Sequence, residues 1–339
     1  MGKNIDWQNL GFKYMQTDCF VRADFKNGKW GELQVFDKPE MQIHIAATCL
    51  HYGQACFEGL KAFSQPNGEV RIFRPEQNAR RMEKTAKRLL MEPVPEKLFI
   101  EAVKAVIKVN KDYVPPYGTG ASLYIRPLLI GSSPYIGLHP SDDFIFMVLC
   151  IPAGPYYKNG FYPVKAIVQE NYDRAAPKGV GNVKAAGNYA AGMIGDFEGK
   201  AKGYPISLYL DSATHCLVDE FGTSNFMAIT KDNKYVTPDS TSILGSITND
   251  SLQVIARDLG MKVEKRPIPL TELPELAEVG ACGTAAVLTP VYSITHGEKV
   301  YTYGSENKAG ETLTRLFKQM QGIQYGELED KHGWMMKLE

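Results

Sequence analysis

The chain has 339 residues, of which 44% are hydrophobic and 22% charged, so it is long enough for two ordinary globular domains. Its 38 basic and 38 acidic residues balance, which argues against the positive field that nucleic-acid and anionic-membrane binding use. We therefore expect no nucleic-acid partner and no membrane association, while a small anionic ligand remains compatible with the composition.

Cysteine and histidine usage gives a second set of exclusions. Most of the six cysteines sit beside apolar residues, and none forms a C-x-x-C pair, which predicts reduced thiols. The six histidines lack metal-ligand spacing such as H-E-x-x-H. The first ten residues contain no signal-peptide core, and the longest apolar run, near FIFMVLCIPAG, is too short for a bilayer. These features predict a soluble cytoplasmic protein without a metal.

The first half of the chain begins with strand patterns. Over residues 18–73, CFVRADF, ELQVF and EVRIF are separated by the turn sequences KNGK and QPNG. Pro75 suits the first turn of a helix that continues through ARRMEKTAKRLL. Residues 96–112 follow an amphipathic helical pattern. ASLYIRPLLIG and DFIFMVLCIPAG then predict two buried strands.

Residues 152–163, PAGPYYKNGFYP, are dense in Gly, Pro and Tyr and predict a connection between domains. We place a smaller N-terminal domain at residues 1–152, a loop at 153–163 and a larger domain at 164–339. In that larger domain, strands such as VKAIVQE, ISLYLDS, LVDEF, FMAIT and KYVTP mix with helices such as GNYAAGMIGDFEGKAKG, DSLQVIARDLG and ETLTRLFKQMQG. The order is not a regular βαβ alternation, which argues against a Rossmann domain and predicts a mixed α+β and α/β fold.

The stretch GVGNVKAAGNY, residues 179–189, sets Lys184 among small residues. A lysine that attacks a carbonyl must be neutral, and desolvation by small or apolar neighbours lowers its pKa. The glycines match neither G-x-G-x-x-G nor a P-loop, which argues against nucleotide binding here. This window alone favours a simpler interpretation, a glycine-rich loop with a solvated lysine.

Three later stretches each allow a chemical and a structural interpretation. In LVDEFGTSNF, residues 217–226, the acids suit a protonated pyridine nitrogen or an ordinary strand end. In SILGSITNDSL, residues 242–252, Thr248 is the expected N-cap of a phosphate-binding helix start or of an ordinary helix. In GACGTAAVLTP, residues 280–290, the turn offers donors to an anion or simply precedes a strand.

Two earlier stretches are ambiguous in the same way. LHYGQACFEGLKAF and LYIRP place aromatic residues and Arg126 inside apolar strands, where core packing is the simple interpretation. Arg80 and Arg81 lie on the helix after FRP, where a solvated face is the simple interpretation.

Taken together and in this order, the stretches resemble the branched-chain amino-acid aminotransferases of the fold-type IV pyridoxal-phosphate group. The matching motifs are HYG…FEG, VRIFRPEQNARRM, ASLYIRP, KAAGNY, DEFGTSN, SITNDSL and GTAA…TPV, which extend over nearly the whole chain. The resemblance implies a two-domain fold-type IV enzyme with pyridoxal 5'-phosphate between the domains. It also implies reversible, ping-pong amino transfer between L-leucine, L-isoleucine or L-valine and 2-oxoglutarate.

The resemblance gives cofactor roles to individual residues. Lys184 matches the Schiff-base lysine, and Tyr189 matches the tyrosine that hydrogen-bonds the ring hydroxyl. Glu220, rather than Asp219, matches the acid that pairs with the pyridine nitrogen, and Arg81 matches the phosphate-binding arginine. The other cofactor positions are Leu244, which packs against the ring, and the phosphate ligands Ile247, Thr248 and Thr284.

The resemblance also places the substrate. Thr223 and Ala285 match the region that binds the substrate carboxylate. Phe57, Tyr124 and Arg126 match positions of the side-chain pocket, with the arginine also serving an acidic co-substrate.

A partner subunit completes the pocket in the family, and Tyr52, Ile136 and Leu138 match the residues that it contributes. A homodimer is therefore implied. Tyr156 matches an aromatic residue of the mobile interdomain loop.

Some positions depart from the family pattern. Leu244-Gly245-Ser246 replaces a frequent Leu-Pro-Gly, and Asn249 replaces a frequent arginine. The backbone donors survive both changes, so we expect only altered loop stiffness. Ala286 and Thr289 occupy the positions of a C-x-x-C pair found in some relatives, which predicts no thiol switch there.

Two alternatives stay open on the sequence. A D-amino-acid aminotransferase or an aminodeoxychorismate-type lyase of the same fold shares the lysine and the acid. A non-catalytic phosphate-binding protein would use the glycine turns alone, but it leaves Lys184, Tyr189 and Glu220 unexplained together.

Overall fold

The computed structural model describes residues 5–154 and 160–339, which form two compact units, each built on a nine-stranded sheet. Of these residues, the first unit takes 5–154, 183–187 and 323–339, and the second takes the rest. Helices and sheets occur in both units, so the predicted mixed fold class is confirmed.

Helices and strands are interspersed along the chain without a repeating unit. The helices are α1 (Thr48–Tyr52), α2 (Pro75–Arg88), α3 (Glu96–Val109), α4 (Ala186–Ala201), α5 (Ile247–Asp258) and α6 (Glu311–Gln324). The strands are β1 (Phe20–Lys26), β2 (Lys29–Trp30), β3 (Gln34–Phe36), β4 (Ala55–Phe57), β5 (Leu60–Ser64), β6 (Val70–Phe73), β7 (Ser122–Gly131), β8 (Phe144–Ala153), β9 (Val164–Val168), β10 (Ile206–Leu210), β11 (Val218–Phe221), β12 (Ser224–Thr230), β13 (Tyr235–Pro238), β14 (Val263–Arg266), β15 (Leu276–Gly283), β16 (Val287–His296), β17 (Lys299–Thr302) and β18 (Met335–Lys337).

The sheet of the first unit is antiparallel throughout, in the order β18-β6-β5-β7-β8-β1-β2, with β4 beside β7 and β3 beside β1. β7 and β8 pair along their whole length, from Ser122 opposite Ala153 to Gly131 opposite Phe144. Both strands are buried almost throughout, which explains why their sequences are continuous apolar runs instead of alternating ones. Phe99 of α3 stacks on Phe146 of β8 and anchors the helix layer to the sheet.

Helix α2 presents two different faces. Pro75 occupies its first turn, where a missing N–H costs nothing. Ala79, Met82 and Ala86 are buried in the hydrophobic core of the first unit. Asn78, Arg81 and Thr85 follow a second stripe, because residues spaced three or four apart lie on one side of a helix. That second stripe carries the polar groups of the site described below.

The sheet of the second unit follows the order β11-β10-β9-β16-β15-β12-β13-β14, with β17 beside β16. An additional pairing of β11 with β12 closes six of these strands into a ring. β9 runs parallel to both β10 and β16, whereas most other pairs are antiparallel. α4 makes the crossover from β9 to β10, since parallel neighbours need a long connection.

The boundaries of the two units differ from the expected domain limits of 1–152 and 164–339, because neither unit is one continuous stretch of sequence. β8 extends to Ala153, so any connecting loop starts after that residue. Residues 183–187 belong to the first unit, where Ala185 bridges to Cys56. The last residues also belong to it, because β18 pairs with β6.

Two properties of the whole described chain bear on its chemistry. No helix in residues 5–154 or 160–339 is long and apolar enough to cross a membrane. All six cysteines are free thiols, of which Cys56, Cys150 and Cys282 are buried.

Candidate functional site

The backbone of Lys184 is fastened to the first unit from two sides. The Phe57 amide of β4 donates to the Lys184 carbonyl oxygen at 3.4 Å. The Lys184 amide donates to the hydroxyl oxygen of Thr85 on α2 at 3.1 Å. Together with the bridge between Ala185 and Cys56, these bonds fix where the lysine side chain starts.

The side chain of Lys184 has surroundings that favour a neutral amine. Its Nζ lies 4.7 Å from the centre of the Phe57 ring. Desolvation, followed by the positive charge of Arg81, lowers the pKa of Lys184 to about 8, against smaller opposing effects of Glu58 and Tyr124. A pKa near 8 raises the neutral fraction at pH 7 roughly 300-fold over an ordinary lysine. Lys184 is half-buried, so the fully solvated lysine of the simpler interpretation does not describe this side chain.

Arg81 is held by a buried carboxylate that the sequence interpretation missed. Its Nε and Nη2 donate to the two carboxylate oxygens of Glu58 at 2.7 and 2.6 Å. Glu58 is fully buried, and the Asn78 amide donates to it at 2.8 Å. Bidentate pairs of this kind fix the plane of the guanidinium group. The available signal was an acid inside the apolar stretch CFEGL, because an acid there needs a partner.

Arg126 lies between two aromatic rings of the same unit. Its guanidinium carbon is 4.7 Å from the Phe57 ring centre and 5.4 Å from that of Tyr124, whose hydroxyl accepts from Nη2 at 3.1 Å. Among the described residues, its buried Nε has no hydrogen-bond partner. Gly59 is required beside it, since a Cβ there would come within 2.2 Å of the Tyr124 hydroxyl. The structure thus brings Phe57, Tyr124 and Arg126 together in one cluster.

Three further predicted residues lie elsewhere on the first unit and are exposed. The exposed fractions of Tyr52, Ile136 and Leu138 are 41%, 71% and 87%. The Tyr52 hydroxyl donates to the Ile136 carbonyl oxygen, and Tyr52 and Leu138 line the same surface cavity, so the three residues lie together. Tyr156, predicted on the interdomain loop, lies outside the described residues.

Glu220 is the centre of a buried polar cluster in the second unit. Its Oε1 accepts from the Leu244 amide at 3.0 Å and pairs with Nη2 of Arg174 at 2.6 Å. Its Oε2 accepts from the side-chain amide of Asn225 at 2.8 Å. Burial raises the pKa of Glu220 to about 6, although Arg174, the Leu244 amide and Asn225 all favour the charged form. Arg174, in NYDRAAP, was not singled out in the sequence, because nothing local distinguishes it from a surface arginine.

The remaining predicted residues of the second unit lie at turns and helix starts. Ser246, rather than Thr248, is the N-cap of α5, since its side chain accepts from the Asn249 amide at 3.1 Å. The expectation that Thr248 caps the helix was wrong by two positions. The other predicted residues of this unit are Ile247 and Thr248 in the first turn of α5, Thr223 between β11 and β12, Thr284 and Ala285 between β15 and β16, and Tyr189 on α4.

Each unit, taken by itself, carries polar groups with a recognisable chemistry. In the first unit, an amine with a lowered pKa suits an aldehyde, and a guanidinium fixed by Glu58 suits a phosphate. In the second unit, the first turn of the 12-residue α5 suits a phosphate. A buried carboxylate suits a protonated ring nitrogen. The described residues contain no His, Cys, Asp and Glu cluster that would hold a metal ion.

Comparison with known proteins gives three kinds of match. Residues 55–294 match the family model described as amino-transferase class IV. The chain is 46% identical to the branched-chain-amino-acid aminotransferase of Haemophilus influenzae, over 99% of this chain and 100% of that protein. Its fold resembles a crystal structure of the Escherichia coli branched-chain amino acid aminotransferase, with a TM-score of 0.82 and 26% identity over 96% of this chain and 100% of that one. A crystal structure of another branched-chain amino acid aminotransferase, from T.th. and with pyridoxamine 5'-phosphate, gives a TM-score of 0.81 and 25% identity over 96% of this chain and 100% of that one.

Proposed function

The chain belongs to the class IV aminotransferases, and from that premise we propose that it transfers amino groups between branched-chain L-amino acids and 2-oxoglutarate. The substrates are L-leucine, L-isoleucine and L-valine with their 2-oxo acids, and the cofactor is pyridoxal 5'-phosphate. The observation that carries the chemistry is Lys184, fixed at its backbone and lowered in pKa to about 8. The full-length similarity to a branched-chain aminotransferase supports the substrate class.

Each residue group has its own task in this reaction. Lys184 would hold the cofactor and would act as the general base that takes a proton from the substrate α-carbon and later returns one. Arg81 and the first turn of α5, at Ile247 and Thr248, bind the phosphate. The cofactor ring supplies an electron sink for the deprotonated carbon. Glu220 would accept a hydrogen bond from the protonated ring nitrogen and so favour that protonated form.

The remaining residues keep the roles that the family resemblance implies. Tyr189 binds the ring hydroxyl, Leu244 packs against the ring and Thr284 binds phosphate. Thr223 and Ala285 lie near the substrate carboxylate. Phe57, Tyr124 and Arg126 line the side-chain pocket, where the buried Nε of Arg126 supports an acidic co-substrate.

The proposal extends to the assembly and the compartment. The exposed apolar surface of Tyr52, Ile136 and Leu138 supports a homodimer, because burying such side chains against a second copy is favourable. Six free thiols support a reducing, cytoplasmic location.

A visible absorption spectrum of the purified chain with pyridoxal phosphate tests the activity. We expect a visible band that bleaches on addition of L-leucine and returns on addition of 2-oxoglutarate. D-alanine is the matched control and should leave the band unchanged. A coloured protein that responds to D-alanine and ignores L-leucine would be a D-amino-acid enzyme instead, and a chain that never takes up the cofactor would refute the proposal.

Replacing Glu58 by glutamine should weaken the binding of pyridoxal phosphate by about tenfold or more, since a charged hydrogen bond contributes ~1.5–3 kcal/mol. Glutamine offers one acceptor where Glu58 offers two, so Arg81 loses one of its two bonds. The measurement is a spectral titration with pyridoxal phosphate and, separately, with pyridoxal, which lacks the phosphate. Only the phosphate-bearing ligand should bind more weakly.

The control for this substitution is Glu83→Gln on the same helix, where Glu83 pairs with Lys87 at an exposed position. That change should leave both titrations unchanged. Equal weakening of pyridoxal and pyridoxal phosphate in Glu58→Gln would mean that the buried acid supports packing and not the orientation of Arg81.

A further inference from the structure

The two oxygens of Glu220 are used unequally by the protein. Oε1 has two donors, Arg174 and the Leu244 amide, whereas Oε2 has one, the side-chain amide of Asn225. A carboxylate oxygen accepts about two hydrogen bonds. Within the described chain, Oε2 is therefore the oxygen with room for one more donor.

Asn225 is hydrogen-bonded to a line of buried polar side chains. Its Oδ1 accepts from Nδ2 of Asn249 at 3.2 Å, and the same Nδ2 donates to the Thr237 hydroxyl at 2.8 Å. The Asn249 Oδ1 accepts from the Tyr235 hydroxyl at 2.7 Å. The exposed fractions of Asn225, Asn249 and Thr237 are 4%, 6% and 2%, so water does not compete freely for these bonds. The expectation for Asn249, altered loop stiffness alone, did not include the buried hydrogen bonds that its side chain makes here.

We propose that Asn249 and Asn225 are positioning residues for Glu220, which turn the Asn225 NH₂ group toward Oε2 and so present that oxygen to a bound proton donor. Under the proposed function, on which this inference rests, the donor is the nitrogen of the cofactor ring. From Glu220 through Asn225 and Asn249 to Tyr235, every hydrogen bond joins one donor to one acceptor. A charged Glu220 only accepts hydrogen bonds, and each partner along the line is oriented accordingly.

The orientation of the Asn225 side-chain amide decides whether the charged or the protonated form of Glu220 is favoured. If its amide turned over, Oδ1 would face Oε2, and only a protonated Glu220 would satisfy that contact. Two groups oppose this rotation, Asn249 and the Leu244 carbonyl oxygen, which accepts from Nδ2 of Asn225 at 3.1 Å. Losing Asn249 therefore has a smaller effect than losing Asn225.

The other charged and titratable groups around Glu220 stay constant in this comparison. Arg174 faces it from the segment before α4, Asp219 precedes it on β11, and Cys282 lies on β15 opposite Asn225 of β12. Arg174 favours the charged carboxylate and Asp219 disfavours it. None of the substitutions below changes these three residues.

The test is a carboxyl NMR titration of the full chain, labelled with ¹³C-glutamate and free of added ligand. The Glu220 signal is assigned by its loss in Glu220→Gln. We expect the pKa of Glu220, about 6 in the unchanged chain, to rise by roughly half a unit or more in Asn225→Leu. It should rise less in Asn249→Leu. Thr237→Val is the matched control, because it removes one bond to Asn249 and leaves both amides in place.

The outcomes separate positioning from simple support of the core. Circular dichroism first establishes that each variant is folded. A graded rise in the pKa of Glu220, largest for Asn225→Leu and absent for Thr237→Val, supports the proposal. Folded variants that lose thermal stability but keep the pKa of the unchanged chain overturn it. Because no cofactor is added, the result does not depend on whether the chain takes up pyridoxal phosphate, which the spectrum described above decides.

Discussion

Lys184→Ala is expected to lower amino transfer between L-leucine and 2-oxoglutarate by on the order of 10⁴-fold or more. Under the proposed function, the one amine would both anchor the cofactor and move the proton at the substrate α-carbon. Its surroundings lower the pKa to about 8, so a substantial neutral fraction exists near pH 7. The measurement is a coupled assay of the 2-oxo acid product. The visible band of the complex should disappear as well.

A second buried lysine, Lys61, makes it necessary to show directly which lysine binds the cofactor. Lys61 on β5 is also buried, and its pKa is likewise lowered to about 8. A lowered pKa alone therefore does not identify the cofactor lysine. Borohydride reduction makes the lysine–cofactor bond permanent, and peptide mapping then locates it. We expect the label on Lys184, and a label on Lys61 would contradict the assignment.

Glu220→Gln is expected to lower kcat by ~10²–10³-fold, the usual loss when one preorganised electrostatic contact to developing charge is removed. Under the proposed function, a neutral amide at this position would no longer favour the protonated ring nitrogen, and the cofactor ring would be a weaker electron sink. The substitution also leaves Arg174 without its carboxylate partner. Thermal unfolding is therefore measured in parallel, so that activity is compared among folded proteins.

Asp219→Asn is the matched control for Glu220→Gln. The two acids are neighbours on β11 and both are buried, but successive side chains of a strand point to opposite faces. Burial raises the pKa of Asp219 above its ordinary value, as it does for Glu220. We expect less than about a tenfold loss of kcat for Asp219→Asn. Similar losses for both variants would remove the distinction between the two acids.

Sequence patterns predicted those helices and strands that are determined by neighbouring residues. The start of α2 follows from Pro75, and the continuous apolar sequences of β7 and β8 follow from burial along both strands. Lys184 was predicted to be the cofactor lysine from an unusual run of small neighbours together with the family resemblance, and that role stays a prediction. For α2, β7 and β8 the decisive information lies within a few consecutive residues, whereas for Lys184 it came from motifs spread over nearly the whole chain.

The missed features depend on partners that are distant in sequence. Glu58 could be recognised as a site residue only through its ion pair with Arg81, 23 residues later. Arg174 likewise depends on its ion pair with Glu220. Asn249 was treated as a loop position, because the sequence does not reveal that Asn225 lies beside it. The placement of residues 183–187 in the first unit also depends on long-range pairing with β4.

The pairing of β18 with β6 has a consequence for how the chain folds as it is synthesised. Lys337 and Glu69 form an ion pair although 268 residues separate them in sequence. β6 therefore leaves the ribosome long before the strand that covers its edge. Until then an unpaired strand edge is exposed, and such edges promote aggregation. The first unit to be synthesised is thus the last to be completed, and chaperone dependence should be greatest while the second unit is still being made.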